Sequence, residues 1–353
     1  MKRFKRTLII MITGIMLLSS CTEDLKELNI NPKTSNEMSD GYLFTFVLNV
    51  TGGRQYTAKR VNLFQCSTFI QQFANLSTGD YGVGDKYLYS NTFCSAYFDE
   101  SYPQAVKELT MLIHKLKDDP EMVNNLSMAR IWRAVVFHVI TDLYGDVPYS
   151  EAGLGYLSQN YTPKYDTQQS IYADMLKELE EAIAAFDTSK PNWGEADLIY
   201  GGDISKWKKF GYSMILRLGM RMSKVDPVNA AGWVQKAIAG GVMTGNDDIA
   251  FVPRSENGSR EYNQNPNSWP FHETDWDEKI SKTLIDFMLE TNDPRIDVMF
   301  EKGSANTVHY GMPNGYDHIT IKAYEGLGND EELDLDIYSD VNPILVNLGA
   351  PLI

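Results

Sequence analysis

Between Ala129 and Ala152 the chain reads ARIWRAVVFHVITDLYGDVPYSEA. Ile131, Val135, Val139 and Leu143 recur every four residues, and Trp132, Val136 and Ile140 widen the same stripe. This spacing predicts a helix over 127–143 with a broad buried face. Tyr144-Gly145 predicts its end, because glycine reaches the left-handed backbone that closes helices. Pro148 then biases Val147 towards extended backbone.

The same period recurs on either side. Tyr42–Val50 is an apolar segment, and Asn62–Leu76, with Phe64, Phe69, Ile70 and Phe73, reads as helical. Tyr102–Leu116 carries Val106, Leu109, Leu112, Ile113 and Leu116 on one face, and Asp118-Asp119-Pro120 breaks it. Thr167–Phe186 has Ile171, Met175, Leu179, Ile183 and Phe186 in register. Ser205 reads as the N-cap of a helix to Lys224, with Trp207, Phe210, Met214 and Leu218 inward. Asp226-Pro227 starts another, with Trp233, Ala237 and Ile238 inward, ending at Gly240-Gly241. Two stretches break the pattern: Ser77–Ser90, STGDYGVGDKYLYS, and Asn246–Asp277, rich in Asn, Asp, Pro and Ser. Lys279–Glu290 reads as a short helix and Val308–Lys322 as turns with short β-type runs. The predicted fold class is mostly α: tetratricopeptide-like helical pairs with long irregular loops and a few short strands. A plain helical bundle is the simpler alternative.

The N-terminus changes the picture. Lys2, Arg3, Lys5 and Arg6 precede an apolar run, Thr7–Leu18, too short to span a bilayer, and Leu18-Ser19-Ser20-Cys21 follows. Residues 1–20 read as a signal peptide, and Leu-x-x-Cys resembles the bacterial lipobox. Cys21 is then the lipid-modified N-terminus, held by acyl (palmitate-type) chains. Removing residues 1–20 leaves 28 Lys and Arg against 47 Asp and Glu, a net charge of −19. That charge argues against a nucleic-acid partner and against docking on anionic lipid through a basic face. Glu23 and Asp24 look like an acidic surface-export signal, or are an ordinary acidic tether. An exported chain permits a disulfide between Cys66 and Cys94, although two separate thiols is the preferred reading.

Several stretches together resemble the SusD/RagB-type nutrient-binding outer-membrane lipoproteins. They are the lipobox at Cys21, Asn31-Pro32, RIWRAVVFHVITDLYGDVPYSEA, YTPKYDTQQSIYADMLKELEEAI, DISKWKKFGYSMILRLGMRMS, NDPRIDVMF and YGMPNG at Tyr310–Gly315. They run in family order from residue 21 to about residue 345. The resemblance implies a single domain over 21–353, incomplete at its C-terminus because members usually continue through a further helical pair. It implies binding rather than catalysis: capture of a nutrient, most often a glycan and in some cases a peptide, at the cell surface. Delivery follows, to a SusC-type TonB-dependent transporter in the outer membrane. A surface glycan-processing enzyme or a protein-binding helical scaffold is the alternative.

The candidate chemistry favours binding. His114, His138, His272, His309 and His318 fall into no zinc-ligand spacing, and no GxSxG or GxxxxGK[ST] occurs, so neither metal nor cofactor is expected. Asp330–Asp336, DEELDLD, lacks the spacing and glycine of an EF-hand and reads as a solvated loop. Tyr81, Tyr87, Tyr262 and Trp269 lie in loops without helical period, beside polar residues. Rings so placed either cover the apolar face of a sugar or anchor long loops to the core. The expected ligand site joins Asn75–Tyr87 to Tyr262–Trp269. In it Trp269 is the platform, Tyr81 faces it, Tyr87 and Tyr262 flank it, and Asn75 and Asp80 bond hydroxyls.

Overall fold

A computed structural model describes residues 38–51, 57–257, 263–272, 278–304 and 306–347. The account below concerns Gly41–Ile353, which forms one compact unit, together with Asp40 at the start of its first helix. Cys21 and Tyr262 lie outside the described residues.

The predicted central helix spans Val123–Tyr144 and is here α4. Gly145 ends it at φ +75°, and Val147–Pro148 (β2) follows, paired antiparallel with Tyr165–Asp166 (β3). Among the described residues, three α-helices precede α4: α1 (Asp40–Thr51), α2 (Asn91–Ser101) and α3 (Lys107–Leu116). Three long helices come after it: α5 (Gln168–Ala185), α6 (Ile204–Arg221) and α7 (Pro227–Gly240). Successive helices pack as pairs, α3 on α4, α4 on α5, α5 on α6 and α6 on α7. This mostly helical array of stacked pairs is the fold class expected from the period.

The core lies where the apolar stripes meet. Leu109 and Leu112, Met128, Ile131 and Ile140, Met175 and Leu179, and Trp207 and Leu218 are all fully or almost fully buried. Phe44 of α1 stacks on Trp193 at 4.0 Å between centroids. A partly buried polar cluster ties three helices together. Asp142 of α4 lies 3.0 Å from His138 Nε2 and 2.8 Å from Arg221 of α6, and it accepts a hydrogen bond from Tyr172 of α5. Burial pushes the Asp142 carboxyl up, and these three partners more than reverse that. At the far end Asn124, completely buried, donates to the carbonyls of Asp187 and Lys190 and accepts from the Asp187 N–H.

The structure differs from the pattern in four places. The apolar run after Asn62 is not one helix to Leu76. A π-helical segment, Ala58–Ser67, gives way at Gln71 (φ +56°), and Phe73–Asn75 is a strand, β1. The α6 cap is Asp203 rather than Ser205, since its carboxylate accepts the N–H groups of Ser205 and Lys206 at 2.9 and 3.1 Å. Ile238 of α7 points to solvent, 60 % exposed, because Ala237 takes the buried position. In the 308–322 stretch only Met312 bridges a strand, and Thr320–Tyr324 is a short helix.

Beyond α7 the chain returns to β1. Glu278–Ile280 (β4) pairs antiparallel with it, in the register Phe73↔Ile280 and Asn75↔Glu278. Met312 donates to the Ile280 carbonyl and Ser339 to that of Tyr310, so segments from the last third of the chain dock on the early strand. Ser281 caps α8 (Lys282–Glu290) beyond β4, and Phe300–Glu301 (β5) pairs with Asp340–Val341 (β6).

Candidate functional site

Ser77–Ser90 is a loop, as its glycines predict, and it folds tightly onto the scaffold. A Cβ at Gly84 would stand 2.1 Å from the Phe64 carbonyl oxygen, so only glycine allows this approach. Asp85 follows and is buried. It accepts from Asn314 Nδ2 at 2.5 Å and from the Gly315 N–H at 2.8 Å. Asn314 also donates to the Phe73 carbonyl at 2.8 Å and accepts from Ser281 Oγ at 2.7 Å. Burial raises the Asp85 carboxyl above the ordinary carboxylate range, against the opposing pull of these donors and of Lys86. Lys86 Nζ donates to the Asn75 carbonyl at 2.8 Å. The YGMPNG stretch therefore serves as the clamp of the aromatic loop.

The residues expected to hold a ligand fall into distinct roles. Asn75 is buried, and its Oδ1 accepts the Ser77 N–H at 2.8 Å, so this side chain shapes the turn. Asp80 is exposed at the start of a short 3-10 turn. Tyr81 is half exposed and rests edge-on against Phe64 and Phe93. Tyr87, at φ +54°, lies parallel to Phe69, accepts from Gln71 Nε2 at 3.1 Å, and is exposed. Trp269 is partly buried and begins the turn Trp269–His272. The two loop regions are neighbours: Asn62 donates to Asn267 Oδ1 at 3.2 Å, and the Phe73 and Phe271 rings are 5.9 Å apart.

Two cavities lie along the π-helical segment. One, of about 370 Å³, is lined by Leu48, Ala58, Val61, Trp132, Val135 and Val139. The other, of about 630 Å³, is lined by Gln65, Cys66, Cys94, Leu143 and Val147, with Tyr89 and Tyr165 among its walls. Cys66 and Cys94 are free thiols that share this cavity, and burial pushes both up, the nearby Cys94 adding to the effect on Cys66. Neither Tyr89 nor Tyr165 stands out in the sequence reading. The signal was present in the repeated tyrosines of YLYS and YTPKY, but their convergence is a tertiary fact.

A serine, a histidine and an aspartate also line up near β6. His309 stands 3.3 Å from Ser339 Oγ and 3.0 Å from Asp297 Oδ1. Ser339 is completely buried and its oxygen accepts the Tyr310 N–H, so the hydroxyl is not presented to a substrate. The trio fastens Asp297 to the return segment. Lys279, 2.6 Å from Asp340, likewise engages the acidic stretch near the end of the chain.

Residues 32–342 match the SusD-like family described as "Starch-binding associating with outer membrane". The chain belongs to the SusD-like family. A solved structure named as a chitin-binding protein is 28 % identical, with a TM-score of 0.75, over 89 % of this chain and 66 % of that one. A SusD-like protein of Bacteroidetes is 21 % identical at a TM-score of 0.75, covering 89 % of this chain and 69 % of its own. A SusD homologue of Bacteroides vulgatus is 18 % identical at 0.71, covering 88 % and 61 %. This chain thus spans about two thirds of the length of these three proteins. No curated protein matches it. Among the described residues, no helix is long and apolar enough to cross a membrane.

Proposed function

We propose that this SusD-like protein is a glycan-binding lipoprotein of the outer-membrane surface, anchored through Cys21. It passes its ligand to a SusC-type TonB-dependent transporter. The observation that carries this reading is the match over residues 32–342 to a family described as starch-binding and associating with the outer membrane. The basic start, short apolar run and Leu-x-x-Cys ending support the anchor. The name of the chitin-binding relative makes amino-sugar oligosaccharides a ligand class to try beside starch.

On this reading the ligand lies across the aromatic loop and the neighbouring 263–269 segment, with Trp269, Tyr81 and Tyr87 as platforms. Function commonly sits on loops fixed by a rigid scaffold, and Asp85 and Asn314 fix this one. Calorimetry of the mature protein against starch, chitin and plant-type oligosaccharides is the direct test. Trp269→Ala and Tyr81→Ala should each weaken binding of the preferred glycan by about 1–3 kcal/mol, with little change in melting temperature. Unchanged affinity in both variants returns those rings to a structural role. Co-purification with an outer-membrane barrel tests the partner, and its absence from crosslinked membranes counts against delivery.

A further inference from the structure

Left-handed backbone is unusual at a residue that carries a side chain, and four such residues occur among the described ones. Two of them touch. Gln71 (φ +56°) and Tyr87 (φ +54°) are joined by the 3.1 Å bond from Gln71 Nε2 to the Tyr87 phenol oxygen. Each closes a helical turn. The N–H groups of Gln71 and Gln72 donate to the Thr68 and Ser67 carbonyls at 3.0 and 2.8 Å. Those of Tyr87 and Leu88 donate to the Gly84 and Val83 carbonyls at 3.1 and 2.8 Å. Glycine is the relaxed residue for such a closure. This chain uses it after α4 (Gly145, φ +75°) and after α7 (Gly241, φ +95°). At positions 71 and 87 the backbone carries strain that glycine would remove, so what these positions retain is the side chain.

Burial does not explain that retention, because Tyr87 is 63 % exposed. What the side chains supply is fixation. Phe69 lies parallel to the Tyr87 ring, with centroids 6.0 Å apart, and Gln71 holds the phenol oxygen. Gln71 is held in turn, because its Oε1 accepts the Thr283 hydroxyl at 2.8 Å, from the first turn of α8 and 212 residues along the chain. Three segments thus immobilise one aromatic ring that stays in solvent. Folding gains little from fixing an exposed ring. Binding gains affinity, because the cost of ordering the ring is met before a ligand arrives. The phenol oxygen accepts from Gln71, which leaves its proton to donate outward. We propose that Gln71 and Thr283 are positioning residues that present Tyr87 as a preformed sugar platform, with a ring face for the C–H side of a pyranose and an O–H donor at its edge. The proposal rests on the glycan-binding reading and adds to it the residues that set the platform's geometry.

Calorimetry and thermal melts of the mature protein and its variants test this, with maltoheptaose, xylohexaose and chitohexaose as probes. Whichever of these binds the parent most tightly is carried to the variants. Gln71→Gly should weaken binding about fivefold, while the melting temperature stays level or rises by about 1–2 °C, since strain leaves together with the bridge. A residue that only held the fold together would lower it. Thr283→Val should weaken binding severalfold, and Thr283→Ser, which keeps the hydroxyl, should bind as the parent does. Tyr87→Phe keeps the stacking face and loses the phenol, and should lose about fivefold, the worth of one hydrogen bond. Parent affinity in Gln71→Gly or in Thr283→Val overturns the positioning role, as does an equal loss in Thr283→Val and Thr283→Ser. A melting temperature for Gln71→Gly several degrees below the parent's overturns it too and assigns Gln71 to the fold. Parent affinity in Tyr87→Phe overturns the edge donor. In each of these cases the parent still binds a saccharide, so the glycan reading stands. If none of the three probes binds the parent, both fall.

Discussion

Asp85 decides whether the aromatic loop has a shape. It is a buried acid whose two oxygens are taken by Asn314 and Gly315, and whose neighbour Lys86 reaches back to Asn75. Burial raises its carboxyl in the folded state, so ionising it costs stability. Its contribution is therefore fully present below the ordinary carboxylate range and is lost as pH rises through the raised folded value. Asp85→Asn sets an amide donor against existing donors and should destabilise the protein by about 1–3 kcal/mol. Urea melts at several pH values should show the gap between wild type and variant narrowing as pH rises. A gap independent of pH would mean that Asp85 does not titrate in this range. None of this was legible in the sequence, where DYGVGD reads as one more acidic, glycine-rich loop. Burial of Asp85 depends on a turn 229 residues away. Tyr81 and Tyr87 were legible as exposed rings because the segment lacks a period, whereas the burial of Asn75 was not, because it comes from strand pairing.

At the scale of elements, the helices were read correctly where one period and local caps agree. Thr167 accepts the Ser170 N–H and starts α5, Asp226 does the same for α7, and Gly145 closes α4. Thr167→Ala should cost about 1 kcal/mol, seen as a lower melting temperature, while Thr167→Ser should restore most of it. Equal stability of all three would show that packing alone fixes that helix start. The misreading at Phe73–Asn75 has a physical cause. Phe69, Ile70 and Phe73 keep helical spacing, but the chain turns at Gln71 and the strand partner lies at Glu278–Ile280. No local window contains that partner, and propensity yields to tertiary pairing there. The stripe of α4 shows a milder version. Ile131 and Ile140 are sealed, Val135 and Val139 are half buried, and Leu143 is exposed at 38 %, facing the cavities.

For the whole molecule, charge and address belong together. Without residues 1–20 the chain would carry −19, which would keep it off anionic lipid surfaces, so on the proposed reading retention at a membrane falls to a lipid on Cys21. Cys21→Ser should move the protein from the membrane fraction to the soluble fraction. Unchanged sedimentation with membranes would remove the anchor from the account. The same negative field should slow approach of acidic saccharides and leave neutral ones unaffected, an effect that salt would screen.

One consequence of the Asn314 clamp concerns time rather than stability. Its amide holds Phe73 and Asp85 across 241 and 229 residues of sequence. The helical pairs close over short separations and can form as the chain emerges, but this contact waits until residue 314 has been made. The proposed binding face thus takes its shape after the helical pairs do. Until Asn314 arrives, the tyrosines of the early loop are displayed on an unsecured segment, and a chaperone of the exported chain would meet them in that interval.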